Sequence, residues 1–173
     1  MNKHIISSEN SNHHWPYLDT NGKILLDLGC GRHDTIDLLQ SSAVYLGEKG
    51  AIKVIAIDGR ESEIKYFEES NLNKEKYTFI HKFINTSNDI RELIEEYKPT
   101  VIKCDIEGYE TAFYNITKEE MQDIIEFGLE YHSLDILEKM TDKIKEWGFN
   151  IHTKAEFGFV NAPQMGVLFC SKK

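Results

Sequence analysis

The stretch that decides the fold is Ile24-Leu25-Leu26-Asp27-Leu28-Gly29-Cys30-Gly31. It is an apolar run that ends in a carboxylate and is followed at once by two glycines flanking one residue. The apolar run predicts a strand that is buried on both faces. The glycines predict a turn where the backbone passes close to a ligand, because a Cβ atom there would collide with it.

A second apolar run, Val54-Ile55-Ala56-Ile57-Asp58, repeats the pattern further along the chain and also ends in an acid. In a parallel α/β sheet, strand ends of this kind line the crevice where nucleotides bind. We therefore expect a cofactor to be bound by both strand ends, with Asp58 accepting hydrogen bonds from ribose hydroxyls. The residues predicted to bind the cofactor here are Asp27, Gly29, Cys30, Gly31, Asp58 and Gly59.

The glycine spacing favours a ligand without phosphate. A dinucleotide fingerprint has a third glycine or alanine where this chain has Asp34, and a carboxylate there would repel a diphosphate. S-adenosylmethionine carries a cationic sulfonium and a cationic amino group, so nearby carboxylates favour it. Two alternatives remain, a non-catalytic S-adenosylmethionine-binding protein and an NAD(P)-dependent oxidoreductase.

The length and charge suggest one domain that avoids anionic partners. The chain has 173 residues and a formal net charge of −9. We predict an N-terminal arm over residues 1–22 and a single domain over residues 23–173. The acidic balance predicts that neither nucleic acid nor a membrane is a partner. The chain shows no apolar span and no signal segment, which predicts a cytoplasmic protein, and Cys30, Cys104 and Cys170 are expected to be buried, reduced thiols.

Strand and helix patterns alternate from residue 23 onward. The predicted strands are 23–28, 53–58, 77–84, 100–106 and 127–132, and the predicted helices are 34–46, 61–70, 87–97, 118–126 and 134–147. Two final strands, 148–153 and 166–170, are separated by a loop without a helix. The alternation predicts an α/β fold, a doubly wound and mostly parallel seven-stranded sheet that ends in an antiparallel hairpin.

The segment with the most charged side chains in an apolar run is Lys103-Cys104-Asp105-Ile106-Glu107-Gly108-Tyr109-Glu110. The spacing of two between Lys103, Asp105 and Glu107 places them on one face of a strand. Charges on a buried strand are costly unless they pair or bind something. The segment is therefore a candidate ligand site.

This segment, read as Lys-x-Asp-x-Glu-Gly-x-Glu, resembles the FkbM-like family of class I S-adenosylmethionine-dependent methyltransferases. The resemblance covers about residues 23–171 and includes Asp27 to Gly31, Asp58 and Glu130-Tyr131-His132. Relatives usually carry Asn and a further Gly where this chain has residues 30–34. The family implies a Rossmann-like fold and methyl transfer, mostly to a hydroxyl oxygen of a sugar or a small metabolite, so the expected partner is a small-molecule or glycan acceptor.

Neighbouring fourth and fifth strands would bring Asp105, Glu107, Glu130 and His132 together. We predict His132 as the general base, because an unperturbed imidazole is neutral at pH 7. Glu107 would hold acceptor hydroxyls or orient the base, Asp105 would lie nearest the methionine amino group, and Asn85 would border the adenine. A magnesium or manganese ion held by Asp105, Glu130 and His132 is a less favoured option. A homo-oligomer that completes the acceptor pocket is also possible.

Overall fold

A computed structural model describes residues 2–6, 15–31, 41–157 and 164–172 of the chain. The strands are β1 (Asn2–Ile6), β2 (Ile24–Leu28), β3 (Lys53–Asp58), β4 (Tyr77–His81), β5 (Val101–Cys104), β6 (Glu126–Tyr131), β7 (Asn150–Phe157) and β8 (Gly166–Ser171). The α-helices are α1 (Ser42–Glu48), α2 (Glu61–Glu69), α3 (Ser87–Tyr97) and α4 (Leu134–Glu146).

The strands form one sheet in the order β1-β7-β8-β6-β5-β2-β3-β4. Strands β2 to β6 pair in parallel, whereas β8 runs antiparallel to both β6 and β7. The predicted fold is therefore confirmed in the seven strands β2 to β8, including the closing hairpin. Within this order the carboxyl ends of β2, β3, β5 and β6 lie along one edge of the sheet.

Apolar side chains cover both faces of the sheet, as the continuous apolar runs predict. Residues Leu25 to Leu28 of β2 are completely buried. Leu26 and Leu28 belong to one core cluster, together with Phe127 and Trp147, and Leu25 belongs to the cluster on the opposite face. Because alternate residues of a strand point to opposite faces, a strand covered on both sides needs apolar residues at nearly every position.

The expected N-terminal arm differs from the structure. Asn2–Ile6 pairs in parallel with β7 and adds an eighth strand at the edge of the sheet. Trp15 and Leu18 are 3% and 1% exposed, and the Trp15 ring packs edge-on against Phe169 at 6.0 Å between centroids. An unpaired edge strand offers a row of hydrogen-bonding groups, which explains why a short segment can join it.

The predicted helix over residues 118–126 is wrong. The described chain forms turns there, preceded by a short 3₁₀ helix at Glu110–Phe113. Met121 and Ile124 are completely buried, and the chain enters β6 at Glu126, so the segment must turn inward within a few residues. The predicted helix over residues 34–46 is described from residue 42 onward, and residues 34–40 lie outside the described residues, as do His13 and His14.

All three cysteines are buried and unpaired, which agrees with the sequence prediction. Among the described residues, no helix combines the length and the apolar character needed to cross a bilayer.

Candidate functional site

The loop after β2 lies between the ends of its two neighbouring strands. Gly29 has a φ of 79°, and a Cβ added there would overlap the carbonyl oxygen of Asp105, which follows β5. A Cβ added at Gly31 would lie 3.1 Å from Oδ2 of Asp58, at the end of β3. The approach to the Asp105 backbone requires glycine at position 29, whereas the atoms nearest to Gly31 belong to side chains. The loop thus lies close to the backbone of Asp105 and to the side chain of Asp58.

Asp58 is held by its neighbour Arg60. Oδ1 of Asp58 accepts a hydrogen bond from the Arg60 backbone N–H at 2.9 Å and lies 3.3 Å from Arg60 Nε. The guanidinium group also lies where a Cβ of Gly31 would project. Asp58 is therefore only 7% exposed, while the Arg60 side chain is 49% exposed. A ligand hydroxyl that binds Oδ1 of Asp58 would compete with Arg60 for this oxygen.

The carboxylate of Asp27 is buried beneath the loop. Ser42 Oγ donates to Asp27 Oδ2 at 2.6 Å, and Lys103 Nζ lies 3.1 Å from Asp27 Oδ1. Lys103 Nζ also donates to the carbonyl oxygen of Gly29 at 2.5 Å. Burial opposes the charge of Lys103, but the attraction of Asp27 and Asp105 outweighs it and raises the lysine pKa. Asp27 is thus placed to support the loop through Lys103.

The backbone of Cys30 is used within the protein. Its N–H donates to the Ile57 carbonyl at 3.1 Å, and its carbonyl accepts from Ser41 Oγ at 2.7 Å. The Cys30 side chain is completely buried. These contacts fix the loop to β3 and to the segment before α1, so the geometry favours a supporting role for Cys30.

Gly59 lies beside the exposed Phe83, and Asn85 follows Phe83 by two residues in the chain. A Cβ added at Gly59 would lie 2.8 Å from the ring of Phe83, which is 53% exposed. The Phe83 ring meets that of Tyr109 at 4.8 Å between centroids and an interplanar angle of 77°. Asn85 is exposed, and its N–H donates to Asp89 Oδ2 at 3.3 Å at the start of α3. An exposed aromatic pair, Phe83 and Tyr109, therefore lies beside Gly59.

Beyond the loop, three carboxylates face one imidazole nitrogen. Nε2 of His132 lies 3.4 Å from Glu107 Oε2, 3.8 Å from Asp105 Oδ1 and 3.8 Å from Glu130 Oε1. These groups come from the ends of β5 and β6, which pair in parallel as predicted. With Glu110, which contacts the other ring nitrogen, they form what we call the carboxylate–histidine cluster: Asp105, Glu107, Glu110, Glu130 and His132.

Glu110 fixes the orientation of the imidazole. Its side chain is completely buried, and Oε1 lies 3.0 Å from His132 Nδ1. The same oxygen accepts hydrogen bonds from the backbone N–H groups of Ile106 and Gly108, each at 3.2 Å. The ring is thus held by its Nδ1 side, with Nε2 directed toward the other three carboxylates.

The sequence predicted that Asp105 and Glu107 lie on one face of a strand, but neither residue is part of a strand. β5 ends at Cys104, so both residues belong to the following loop. Glu107 has a left-handed backbone with a φ of 55°, and its side chain is 82% exposed. Its position follows from the sharp exit of the chain from β5 at Gly108, where φ is 96°.

The expectation of a neutral His132 is also corrected. Burial opposes the charge of the imidazole, but hydrogen bonding to Glu107 and Glu110 outweighs it and raises the pKa of His132 to about 10. Burial, followed by the charge of Asp105, raises the pKa of Glu130 to about 9. An unperturbed value omits these neighbours, which shift a buried group by several units. The unliganded imidazole therefore carries a proton at neutral pH.

Sequence reasoning assigned no role to Lys103, Glu110, Arg60 and Ser42. The position of Lys103 inside an apolar run could have indicated a buried, paired lysine. The position of Glu110 as the last acid of the Lys-x-Asp-x-Glu-Gly-x-Glu motif could have indicated a role at the site. Nothing in the sequence marks Arg60 or Ser42. The role of Ser42 depends on its contact with Asp27, fifteen residues earlier, and that of Arg60 depends on its side chain folding back onto Asp58.

Comparison with solved structures identifies the fold as that of class I methyltransferases. A protein assigned as a tRNA (m1A22) methyltransferase from Streptococcus pneumoniae, solved with S-adenosyl-L-methionine, is 18% identical over 96% of this chain and 73% of its own, with a TM-score of 0.65. A protein assigned as an S-adenosylmethionine-dependent methyltransferase from Listeria monocytogenes is 16% identical over 94% of this chain and 98% of its own, with a TM-score of 0.64. The sequence matches no protein-family model and no curated protein.

The prediction that nucleic acid is not a partner is contradicted by these comparisons. Besides the streptococcal protein, aTrm5 in complex with tRNALeu has the same fold, with 15% identity over 90% of this chain and 43% of its own and a TM-score of 0.59. The prediction rested on the net charge, which sums over the whole chain, whereas binding depends on the local field. Nucleic acid therefore stays among the acceptors to be tested.

Proposed function

We propose that this protein is an S-adenosylmethionine-dependent methyltransferase that methylates a hydroxyl oxygen, related to the FkbM-like enzymes by its strand-ending motif. The observation that carries the proposal is the placement of Gly29 and Gly31 between Asp58 and Asp105. This arrangement joins the predicted cofactor acids to a cluster suited to proton removal. The fold, found also in a protein solved with S-adenosyl-L-methionine, supports the choice of cofactor.

In this proposal the cofactor is held at the ends of β2, β3 and β5, and it supplies an activated methyl group when bound. Asp58 binds the ribose hydroxyls after Arg60 moves aside, and Gly29 and Gly31 let the backbone approach the ligand. Asp105 faces the cationic amino group, and Gly59 and Asn85 border the adenine. The donors fit the ligand, because carboxylates suit its positive charge and no phosphate has to be accommodated.

The carboxylate–histidine cluster is proposed to bind the acceptor hydroxyl, and His132 accepts its proton after the positive charge of the bound cofactor has favoured release to solvent of the proton that the unliganded imidazole carries. Glu107 has the exposed carboxylate, and it lies 3.4 Å from His132 Nε2, so a hydroxyl that reaches one also reaches the other. Asp105, Glu107 and His132 remain the proposed catalytic residues. A positioned base contributes about 10²–10⁴-fold to the rate, and alignment of the reacting atoms contributes on the order of 7–11 kcal/mol.

Isothermal calorimetry with S-adenosylmethionine, S-adenosylhomocysteine and NADH tests the cofactor. We expect binding of the first two and none of NADH. Asp58→Asn should weaken binding by about tenfold or more, because a hydrogen bond to a charged group contributes about 1.5–3 kcal/mol. Glu61→Gln, which changes an exposed carboxylate nearby, is the matched control. Binding of NADH alone would instead support an oxidoreductase.

Formation of S-adenosylhomocysteine with panels of sugars, hydroxylated metabolites and RNA tests the transfer. A catalytic role predicts that Glu107→Gln and His132→Gln lower turnover by at least about 10²-fold and leave cofactor affinity unchanged. Turnover that is unaffected by both substitutions would remove the cluster from the proposed mechanism.

A further inference from the structure

The carboxylate–histidine cluster brings four carboxyl groups around one imidazole, with contacts of 3.0–3.8 Å to its ring nitrogens. Four carboxylates surround His132, and Lys103 Nζ lies 3.8 Å from Asp105 but is already paired with Asp27 at 3.1 Å. Charges that leave water without compensation are costly, so such groups are normally paired or bound to metal. This concentration of oxygen donors around one imidazole nitrogen is the first indication of a cation site.

The imidazole is oriented as in a metal site. Metal-binding histidines usually donate a hydrogen bond from their other ring nitrogen to a carboxylate, a carbonyl or water, which fixes the tautomer and the orientation of the ring. Here the buried Glu110 holds Nδ1 at 3.0 Å and is itself held by two backbone N–H groups. His132 Nε2 is thereby presented to the three other carboxylates.

Two buried atoms at the centre of the cluster have only long contacts with its other members. Among the described residues, Asp105 Oδ1 and His132 Nε2 make no hydrogen bond of normal geometry, and the oxygen nearest to Nε2 is Glu107 Oε2 at 3.4 Å. Glu130, whose side chain is 9% exposed, has its Oε1 3.8 Å from Nε2. Buried polar atoms without partners are uncommon and point to an unobserved ion or water. Asp105 Oδ1 and His132 Nε2 lie 3.8 Å apart, close enough to share one ligand.

We propose that Asp105, Glu107 and His132 bind one divalent cation, which in turn holds the oxygen of the methyl acceptor. One ligand atom from each residue lies within 4.8 Å of the others. Two ligands of one magnesium ion lie at most about 4.2 Å apart, so a small movement of the exposed Glu107 side chain completes the site. Carboxylate oxygens with one imidazole suit manganese or magnesium.

The cation would also favour deprotonation of the acceptor hydroxyl. This part of the inference rests on the proposed function. Carboxylates beside a hydroxyl disfavour its deprotonation, because like charges repel. A divalent cation reverses the sign of the local field and stabilises the oxyanion. Since Nε2 cannot hold a cation and a proton together, the inference makes His132 a ligand instead of the proton acceptor.

Manganese binding to the isolated protein, without cofactor or acceptor, tests the site. Electron paramagnetic resonance measures the free Mn²⁺ that remains at each protein concentration. We expect one site per chain, weakened by at least about tenfold in Asp105→Asn and in His132→Gln. Glu110→Gln keeps the packing and should weaken binding by about 10–100-fold, because it releases the ring. Glu138→Gln, an exposed carboxylate on α4, should change nothing.

The outcomes separate this inference from the proposed function. No Mn²⁺ binding at millimolar concentration, or binding that is equal in wild type and both ligand variants, would overturn the metal site. Mn²⁺ binding that depends on Asp105 and His132 supports it, whether or not S-adenosylmethionine binds. If His132→Gln still binds S-adenosylmethionine, the loss of Mn²⁺ binding in that variant is not caused by misfolding. If the wild type does not bind S-adenosylmethionine, the proposed function is overturned, but the metal site is not.

Discussion

Gly29 is the residue at which the cofactor loop and the strand-end acids come closest. Replacement by alanine combines a strained left-handed backbone, which costs about 1–2 kcal/mol, with an overlap on the Asp105 carbonyl. We predict that Gly29→Ala abolishes S-adenosylmethionine binding and lowers the free energy of unfolding by more than the backbone cost. Calorimetry and urea denaturation measure the two effects.

Gly22→Ala is the control for this prediction. Gly22 has a similar φ of 70°, but a Cβ there would meet nothing within 4 Å. Gly22→Ala should lower the free energy of unfolding only by the cost of the left-handed backbone, and it should leave cofactor affinity unchanged. Equal behaviour of the two variants would mean that the close approach of the loop to Asp105 is unimportant.

Lys103 is a second residue with a testable role. Lys103→Met leaves Asp27 buried without its partner, and breaking a buried pair costs about 3–5 kcal/mol. We expect the double variant Asp27→Leu/Lys103→Met to recover most of this loss of unfolding free energy. Cofactor affinity should stay low in both variants, because the Gly29 carbonyl loses its donor in each. Recovery of affinity in the double variant would argue against support of the loop by Lys103.

Residue types predicted which side chains belong to the site, but not their protonation. Asp105, Glu107, Glu130 and His132 were expected to converge, and the structure brings them within 3.8 Å of one ring nitrogen. The raised pKa of His132 depends on Glu107 and on Glu110, whose positions follow from the turn after β5. A value taken from the residue type alone cannot include those contacts.

At the scale of elements, strands with continuous apolar runs were predicted well and their ends less well. β3 begins and ends where the sequence placed it, whereas β5 is shorter by two residues at its carboxyl end. Hydrogen bonding to a neighbour ends a strand, and that depends on the register with β2 and β6. The error matters because Asp105 lies in the extra residues and Glu107 follows them directly.

The start of α3 gives a prediction at this scale. Thr86 and Asp89 form a reciprocal capping box, and Asp89 also lies 3.3 Å from Lys82 Nζ. Burial opposes ionisation of Asp89, but hydrogen bonds from Thr86 and Asn85 outweigh it and lower its pKa. We predict that Asp89→Ala lowers the free energy of unfolding by about 1 kcal/mol at pH 7.

The effect should depend on pH in a defined direction. A carboxylate with a lowered pKa in the folded state stabilises above its unfolded pKa of 3.8, and this contribution is lost as the pH falls through the folded pKa. The difference between wild type and Asp89→Ala should therefore shrink below about pH 4. Glu95→Ala, on the exposed face of the same helix, should give a small difference at every pH. A pH-independent difference would exclude the carboxylate as its source.

At the scale of the whole molecule, the topology followed from the alternation of strands and helices, because right-handed crossovers leave few ways to arrange such a chain. The eighth strand did not follow, since Asn2–Ile6 is short and its pairing depends on β7 having a free edge. Overall charge was the weakest guide. A net charge of −9 describes the solution behaviour of the chain and does not determine which acceptors a local site binds.

Cofactor binding should stabilise the whole molecule, because the loop residues that hold it connect β2 to both β3 and β5. A ligand at 100 times its dissociation constant adds about 2.7 kcal/mol to the free energy of unfolding. For a domain of this size that corresponds to a rise in Tm of about 5–11 °C. S-adenosylmethionine and S-adenosylhomocysteine should both raise the Tm in differential scanning calorimetry. NADH should not, and the Gly29→Ala variant should respond to none of them; a rise with NADH in the wild type would favour the oxidoreductase instead.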